Sequence, residues 1–208
     1  GWRSSHPWGY GFALGLDGLT VDVYSTDRFG LSLGAGYDFG RDADDDKRFK
    51  GLGDIDGAVT GEIGITYAPF EFLELGLGAT RYFGGSDGTL VTLGAGTGLP
   101  LGERAFVGLG VGATWADDAY MDAYYSVTPT QLSNALAKGN TTKGLKVFDA
   151  GAGIQSLDAS LEVGYQISER WSIGAEVGVT QFVGDAADSP LVEEELQPNA
   201  GLMLVWQF

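Results

Sequence analysis

Hydrophobic and polar residues alternate with a period of two along most of this chain. Every odd position from Leu157 to Ile167 is apolar, and the alternation resumes at Trp171 and again from Ala200 to Phe208. Because successive strand side chains point to opposite faces, each segment has one apolar face and one small or polar face. A soluble β-sandwich has this pattern in strands of about 5–6 residues, whereas a tilted strand needs about ten residues to cross a bilayer. The pattern therefore favours an all-β fold, a transmembrane antiparallel up-and-down β-barrel.

Apart from the first pair, the connections between these segments alternate between short and long. Short periplasmic turns and longer outer loops are typical of outer-membrane barrels. Asp17-Gly18 is either a hairpin turn between the first two segments or part of one long bulged strand. We treat residues 9–208 as a single barrel domain and residues 1–8 as an N-terminal segment that need not be complete. The ten predicted strands are residues 10–16, 19–25, 29–38, 57–67, 72–82, 89–98, 105–115, 154–167, 171–182 and 199–208.

Aromatic residues recur at the ends of these segments. Such positions are typical of the girdles that anchor a barrel at the two membrane interfaces. Near the short-turn end lie Phe29, Tyr67, Trp171, Trp206 and Phe208, and near the other end lie Tyr37 and Trp115.

Several ordered motifs, mostly between the predicted strands, are more specific than the alternation. They are GYDFGRD at 36–42, GLGDIDG at 51–57, ATWADD at 113–118, YSVTP at 125–129, FDAGAG at 148–153 and GDAADSP at 184–190. In this order they resemble the MipA/OmpV family of Gram-negative outer-membrane proteins. Family members usually carry further residues upstream, so the resemblance implies about twelve strands in an intact member.

The resemblance also implies a location and a role. The location is the Gram-negative outer membrane, with membrane lipid and lipopolysaccharide as the surroundings. For the best-known members the role is a scaffold that joins a periplasmic lytic murein transglycosylase to a penicillin-binding murein synthase. Other members are described as porin-like, adhesive or linked to osmotic and antibiotic response.

The composition argues against several other functions. A net charge of −16 argues against nucleic acid as a partner, because binding phosphates needs clustered Lys and Arg. His6 is the one histidine and precedes the predicted strands, so a hydrolase in this barrel would lack its general base. Asp42, Asp44 and Asp46 begin an EF-hand spacing, but Lys47 and Gly53 occupy its sixth and twelfth positions, so the calcium motif fails. We expect no enzyme, no cofactor and no dedicated metal site.

The polar face of the strands predicts an acidic interior. If residues 168–170 form a tight turn, Ile167 faces Trp171 and the same register sets Glu162 opposite Glu176. Like charges directly opposite repel, so such a pair shares a proton, holds a cation or is screened by water. The alternative to a cation-tolerant lumen is a hydrated structural interior. The lumen candidates are Glu162, Glu176, Asp158, Glu62 and Glu74.

Two long loops add further hypotheses. The loop at 116–153, with Tyr120, Tyr124 and Tyr125 near its start, could fold inward as a plug. The loop at 183–198 holds carboxylates without a basic residue, which could share divalent cations with lipopolysaccharide phosphates or simply be solvated. These carboxylates are Asp185, Asp188, Glu193, Glu194 and Glu195. Two functions remain open, a non-enzymatic envelope scaffold and a narrow, weakly cation-selective channel.

Overall fold

The computed structural model describes residues 12–15, 18–44 and 46–206. Within them, ten strands form one antiparallel up-and-down sheet in sequence order, which confirms the predicted all-β class. The described residues show no ladder between the first and last strands, and the sheet is therefore called barrel-like here. The strands are β1 (Phe12–Gly15), β2 (Gly18–Ser25), β3 (Phe29–Asp38), β4 (Ala58–Phe70), β5 (Leu73–Gly84), β6 (Thr89–Leu101), β7 (Ala105–Ala116), β8 (Gly153–Gln166), β9 (Trp171–Phe182) and β10 (Leu196–Trp206).

The first two segments form a hairpin and not one long bulged strand. Gly15 pairs with Gly18, so Gly18 already belongs to β2, and residues 16 and 17 connect the two strands. Those two residues lie outside the described part, as do His6 and Phe208. Of the turn expected at Asp17-Gly18, Asp17 therefore lies outside the described residues and Gly18 is part of β2.

The two faces of the sheet differ as the alternation predicts. On one face the apolar side chains are exposed in the isolated chain, with Leu157 at 47%, Leu161 at 40% and Val177 at 53%. The opposite face, called the lumen face here, carries glycines and polar residues such as Asp158 and Thr180. A β-sandwich would cover the apolar face with a second sheet, and the described residues form only one sheet.

The buried core lies mainly in the long connections, and only strand-end residues such as Ala116 of β7 add to it from the sheet. Connections 39–57, 117–152 and 183–195 pack together at one end of the strands, and we call this assembly the loop dome. It contains α1 (Asp118–Tyr125), α2 (Pro129–Ala137) and α3 (Gly184–Asp188). One cluster of the core consists of Ala116, Met121, Tyr125, Ala150 and Ala186, and the other of Leu52, Val127, Ala135 and Leu191.

Local sequence signals explain the two longer helices. The Asp117 side chain accepts a hydrogen bond from the Tyr120 backbone N–H at 2.9 Å, which caps the start of α1. Thr128 and Gln131 form a reciprocal capping box around Pro129, the first residue of α2. Across the described residues, no helix combines the length and apolar character needed to cross a membrane.

Candidate functional site

The lumen face brings the acidic residues of β8 and β9 together. Glu162 pairs directly with Glu176, which is the register that a tight turn at 168–170 predicts. Asp158 lies opposite Thr180, whose hydroxyl donates to Asp158 Oδ1 at 2.7 Å. Asp158 therefore has a neutral partner, whereas the two glutamates face each other as like charges. The functional role of this acidic face remains a prediction.

Glu62 and Glu74 lie on other strands of the same face. Glu62 is half-buried and is flanked by Gly34 of β3 and Thr80 of β5. Glu74 is exposed and lies opposite Gly96. In the described part of the chain, no three His, Asp or Glu side chains converge as a metal ion would require. The five carboxylates thus form one close pair and three separate groups.

The lumen face has a small open cavity, and an aromatic ring lies on this face near the short turns. The cavity measures about 320 Å³ and is lined by Gly78, Thr92 and Asp158 among others. Toward the short-turn end, the Phe106 ring lies over Gly164, where an added Cβ would come within 2.6 Å of Phe106 Cδ1. Only glycine leaves room for the ring at this point. Sequence reasoning missed Phe106, although its even position within a strand is a usable signal that it faces inward.

Tyrosine rings pack against one another at the end of the sheet opposite the short turns. Tyr82, at the end of β5, packs against Tyr120 of α1 with 5.4 Å between ring centroids, and Tyr120 stacks on Tyr124 at 4.6 Å. The Tyr124 hydroxyl donates to Asp38 Oδ1 at 3.3 Å. Burial raises the pKa of both Tyr120 and Tyr124, so both phenols stay neutral at physiological pH. The start of the 117–152 connection thus packs onto the end of β5, and a plug folded into the lumen stays a prediction.

The carboxylates of the last long loop point to different partners. Asp185 accepts the Gly151 backbone N–H at 2.8 Å, and Glu195 accepts from the Gln181 side chain at 3.2 Å. Glu193 lies 3.4 Å from Arg48 of another loop. Asp188 and Glu194 are exposed. Asp185 and Glu195 therefore hold the loop in place, and a cation-sharing role for this group stays a prediction.

The girdle candidates lie at both ends of the strands, and those that the structure describes are partly exposed. At the short-turn end, Trp171 pairs with Trp206 across β9 and β10, and their ring centroids are 6.3 Å apart. Phe29 pairs with Tyr67 in the same region, between β3 and β4. The exposed fractions are 38% for Phe29, 51% for Tyr37, 46% for Tyr67, 39% for Trp115, 43% for Trp171 and 44% for Trp206. Their interfacial role stays a prediction.

The sheet is antiparallel and up-and-down, with one exposed apolar face, one acidic lumen face and packed loops at one end. These features define a barrel-like class of protein. A family model described as MltA-interacting protein MipA matches residues 7–208. The chain therefore belongs to the MipA family, and the resemblance carried by the loop motifs is confirmed. No curated protein matches the chain.

Proposed function

We propose that the chain is a non-enzymatic barrel of the Gram-negative outer membrane, with the loop dome outside the cell. The observation that carries this proposal is the exposed apolar face, which persists from β3 to β9 in side chains such as Leu33, Leu77 and Val177. A strand of 12 residues such as β9, at ~3.3 Å per residue and tilted by ~40°, has a height of about 30 Å. That height matches the hydrocarbon core of a bilayer. Membership of the MipA family supports the same location.

The distribution of lysines gives a direct test of location and orientation. All lysines of the sequence lie in the loop dome and are exposed, whereas the described short turns carry arginine and no lysine. A membrane-impermeant amine reagent should therefore label the dome on intact cells. Labelling of these lysines only after the outer membrane is opened would contradict the proposed orientation. The lysines are Lys47, Lys50, Lys138, Lys143 and Lys146.

Within that location, we propose a scaffold that binds a lytic murein transglycosylase and a penicillin-binding murein synthase. The family description supports the first partner, since it names an MltA-interacting protein. Docking would use the short-turn end, where Phe70 and Phe72 stack with 5.5 Å between ring centroids and are 58% and 57% exposed. A standard interface buries ~800 Å² per partner, so the neighbouring turns would have to form its rim.

The scaffold proposal is tested by capture of the purified transglycosylase on the refolded barrel. Replacing Phe70 and Phe72 with serine should abolish capture. Phe39→Ser is the matched control, because Phe39 is an aromatic residue at the opposite end that is 85% exposed. If the wild-type barrel fails to capture the enzyme, or if both sets of variants behave alike, this docking surface is wrong.

A narrow cation-selective channel is the second candidate, favoured by the opposed Glu162 and Glu176 on the lumen face. The tyrosine stack at one end and Phe106 at the other both argue for a low conductance. Single-channel recording in a planar bilayer, under a potassium chloride gradient, separates the two candidates. Cation-selective steps that lose selectivity in Glu162→Gln and Glu176→Gln would establish the channel. Silence from protein shown to be folded would leave the scaffold.

A further inference from the structure

A pocket opens in the loop dome between connections 39–57 and 183–195. Its volume is about 350 Å³, which lies within the range of about 300–1,000 Å³ typical of small-molecule sites. Tyr125, Phe182 and Leu191 contribute apolar walls, and Phe49 adds an aromatic ring. The pocket also contains two arginines from the first connection and two glutamates from the second. It thus combines an apolar interior with charges of both signs.

Arg41 is the least satisfied charged group of this pocket. Its Nε is buried and has no hydrogen-bond partner within the described residues, and its Nη1 donates only a long bond of 3.5 Å to the Tyr124 carbonyl oxygen. The described part of the chain puts no carboxylate within 4.0 Å of its guanidinium group, which instead lies 4.5 Å from the centre of the Phe49 ring. Burial lowers the pKa of Arg41, although a guanidinium stays charged in proteins. Charges taken out of water are normally paired, and the nearest acidic influence on Arg41, the Asp54 carboxylate, acts on it through space without a direct ion pair. The guanidinium of Arg41 is therefore half-buried and has no carboxylate in contact with it among the described residues.

Arg48, the second arginine, is already neutralised. Its Nε and Nη2 donate to the two carboxylate oxygens of Asp46 at 3.1 and 2.9 Å, and Glu193 lies 3.4 Å from its Nη1. The hydrogen bonds from Arg48 lower the pKa of Asp46 to about 2, so this ion pair persists at neutral pH. Glu194, also at the pocket, has no hydrogen bond or ion pair within the described residues. The pocket therefore holds one half-buried cation without an ion pair, Arg41, and one solvent-exposed carboxylate without a protein partner among the described residues, Glu194.

We propose that this pocket binds a small organic carboxylate with an apolar body, the simplest being an α-amino acid with an apolar side chain. The carboxylate would pair with Arg41, whose planar fork matches carboxylate geometry. The apolar body would pack against Phe49, Tyr125 and Phe182, and the ammonium group would face Glu194. A dianion such as phosphate fits less well, because Glu193 and Glu194 share the pocket and the chain carries a net charge of −16. This proposal does not depend on the scaffold or on a conducting barrel.

The test is isothermal titration calorimetry of the refolded full chain with three probes. Phenylalanine carries both charges, N-acetylphenylalanine lacks the ammonium group, and phenylalanine amide lacks the carboxylate. Phenylalanine should bind saturably, and the amide should bind at least tenfold more weakly. Arg41→Gln should weaken phenylalanine and N-acetylphenylalanine at least tenfold, whereas Arg28→Gln in a distant short turn should leave both unchanged.

A second variant separates a binding role from damage to the dome. Glu194→Gln should weaken phenylalanine but not N-acetylphenylalanine, since the latter has no ammonium group. If the substitution unfolded the pocket, the binding of phenylalanine and of N-acetylphenylalanine would weaken together, and the two probes would not differ. Arg41→Lys, which keeps the charge, should retain part of the binding. The proposal is overturned if no probe binds, if phenylalanine amide binds as well as phenylalanine, or if inorganic phosphate displaces phenylalanine at equal concentration.

Discussion

Two glycines in the first long connection allow one packing contact of the loop dome to be measured separately from backbone strain. Gly51 and Gly53 both have a left-handed backbone, with φ of +85° and +88°. A Cβ on Gly51 would lie 2.6 Å from the Ala135 Cα of α2, whereas a Cβ on Gly53 would meet nothing within 4 Å. Gly51→Ala and Gly53→Ala therefore share the backbone strain and differ only in the collision with α2.

The expected magnitudes follow from that difference. Each substitution costs about 1–2 kcal/mol for a left-handed alanine. Overpacking adds about 1–3 kcal/mol for Gly51→Ala alone. The neighbouring contacts cannot relax freely, because Gln131 donates to the Leu52 carbonyl at 2.9 Å and Asn140 donates to the Lys50 carbonyl at 3.0 Å. We expect the dome of Gly51→Ala to open about 5- to 150-fold more often than that of Gly53→Ala.

Hydrogen–deuterium exchange of the refolded protein measures this opening directly. The reporters are the backbone amides of Leu132, Lys138 and Asn140, which donate to Thr128, Asn134 and Ala135 in α2 and its C-terminal cap. Amides of the β6–β7 ladder serve as an internal control and should not change. Equal exchange in the two variants, or an equal rise in the ladder, would refute the idea that connection 39–57 packs on α2 through Gly51.

Three further predictions concern the core, the tyrosines and the acidic face. Met121 is 1% exposed, so Met121→Ala should destabilise the dome by about 2–5 kcal/mol in hydrogen exchange, while the exposed Leu136→Ala should change it little. Burial raises the pKa of Tyr125 from 10.0 to about 12. The neutral phenol should therefore stabilise the dome fully below pH 10, and this contribution should be lost as the pH rises to about 12. Tyrosinate absorbance measures the titration of the phenol. Glu162→Gln removes one of two directly opposed charges and should raise the free energy of unfolding by up to about 1 kcal/mol at pH 7. The urea midpoint of the refolded barrel measures this change. A lower midpoint would indicate that a cation bridges Glu162 and Glu176.

The sheet was predictable because its signals are local. Side-chain parity separates the exposed Leu161 from the lumen-facing Glu162, and one tight turn is enough to set Glu162 opposite Glu176. The loop dome was not predictable, because its contacts join connections that are far apart in sequence. Leu52, Val127 and Leu191 share one buried cluster, yet each lies in a different loop without periodicity. The candidate ligand pocket has the same origin, since Arg41 and Glu194 line one pocket only after the strands between them are in place.

The location of the core has a consequence for the order of assembly. Ala186 and Leu191 belong to the last long connection, and each completes one of the two buried clusters. A chain that has formed every hairpin except β9–β10 would thus hold an ordered sheet beneath two unfinished clusters. Protection of the surface loops against protease should then appear as a late, single step that coincides with addition of the final strand. The dome is in this sense a readout of completed folding that limited proteolysis of the refolded chain can follow.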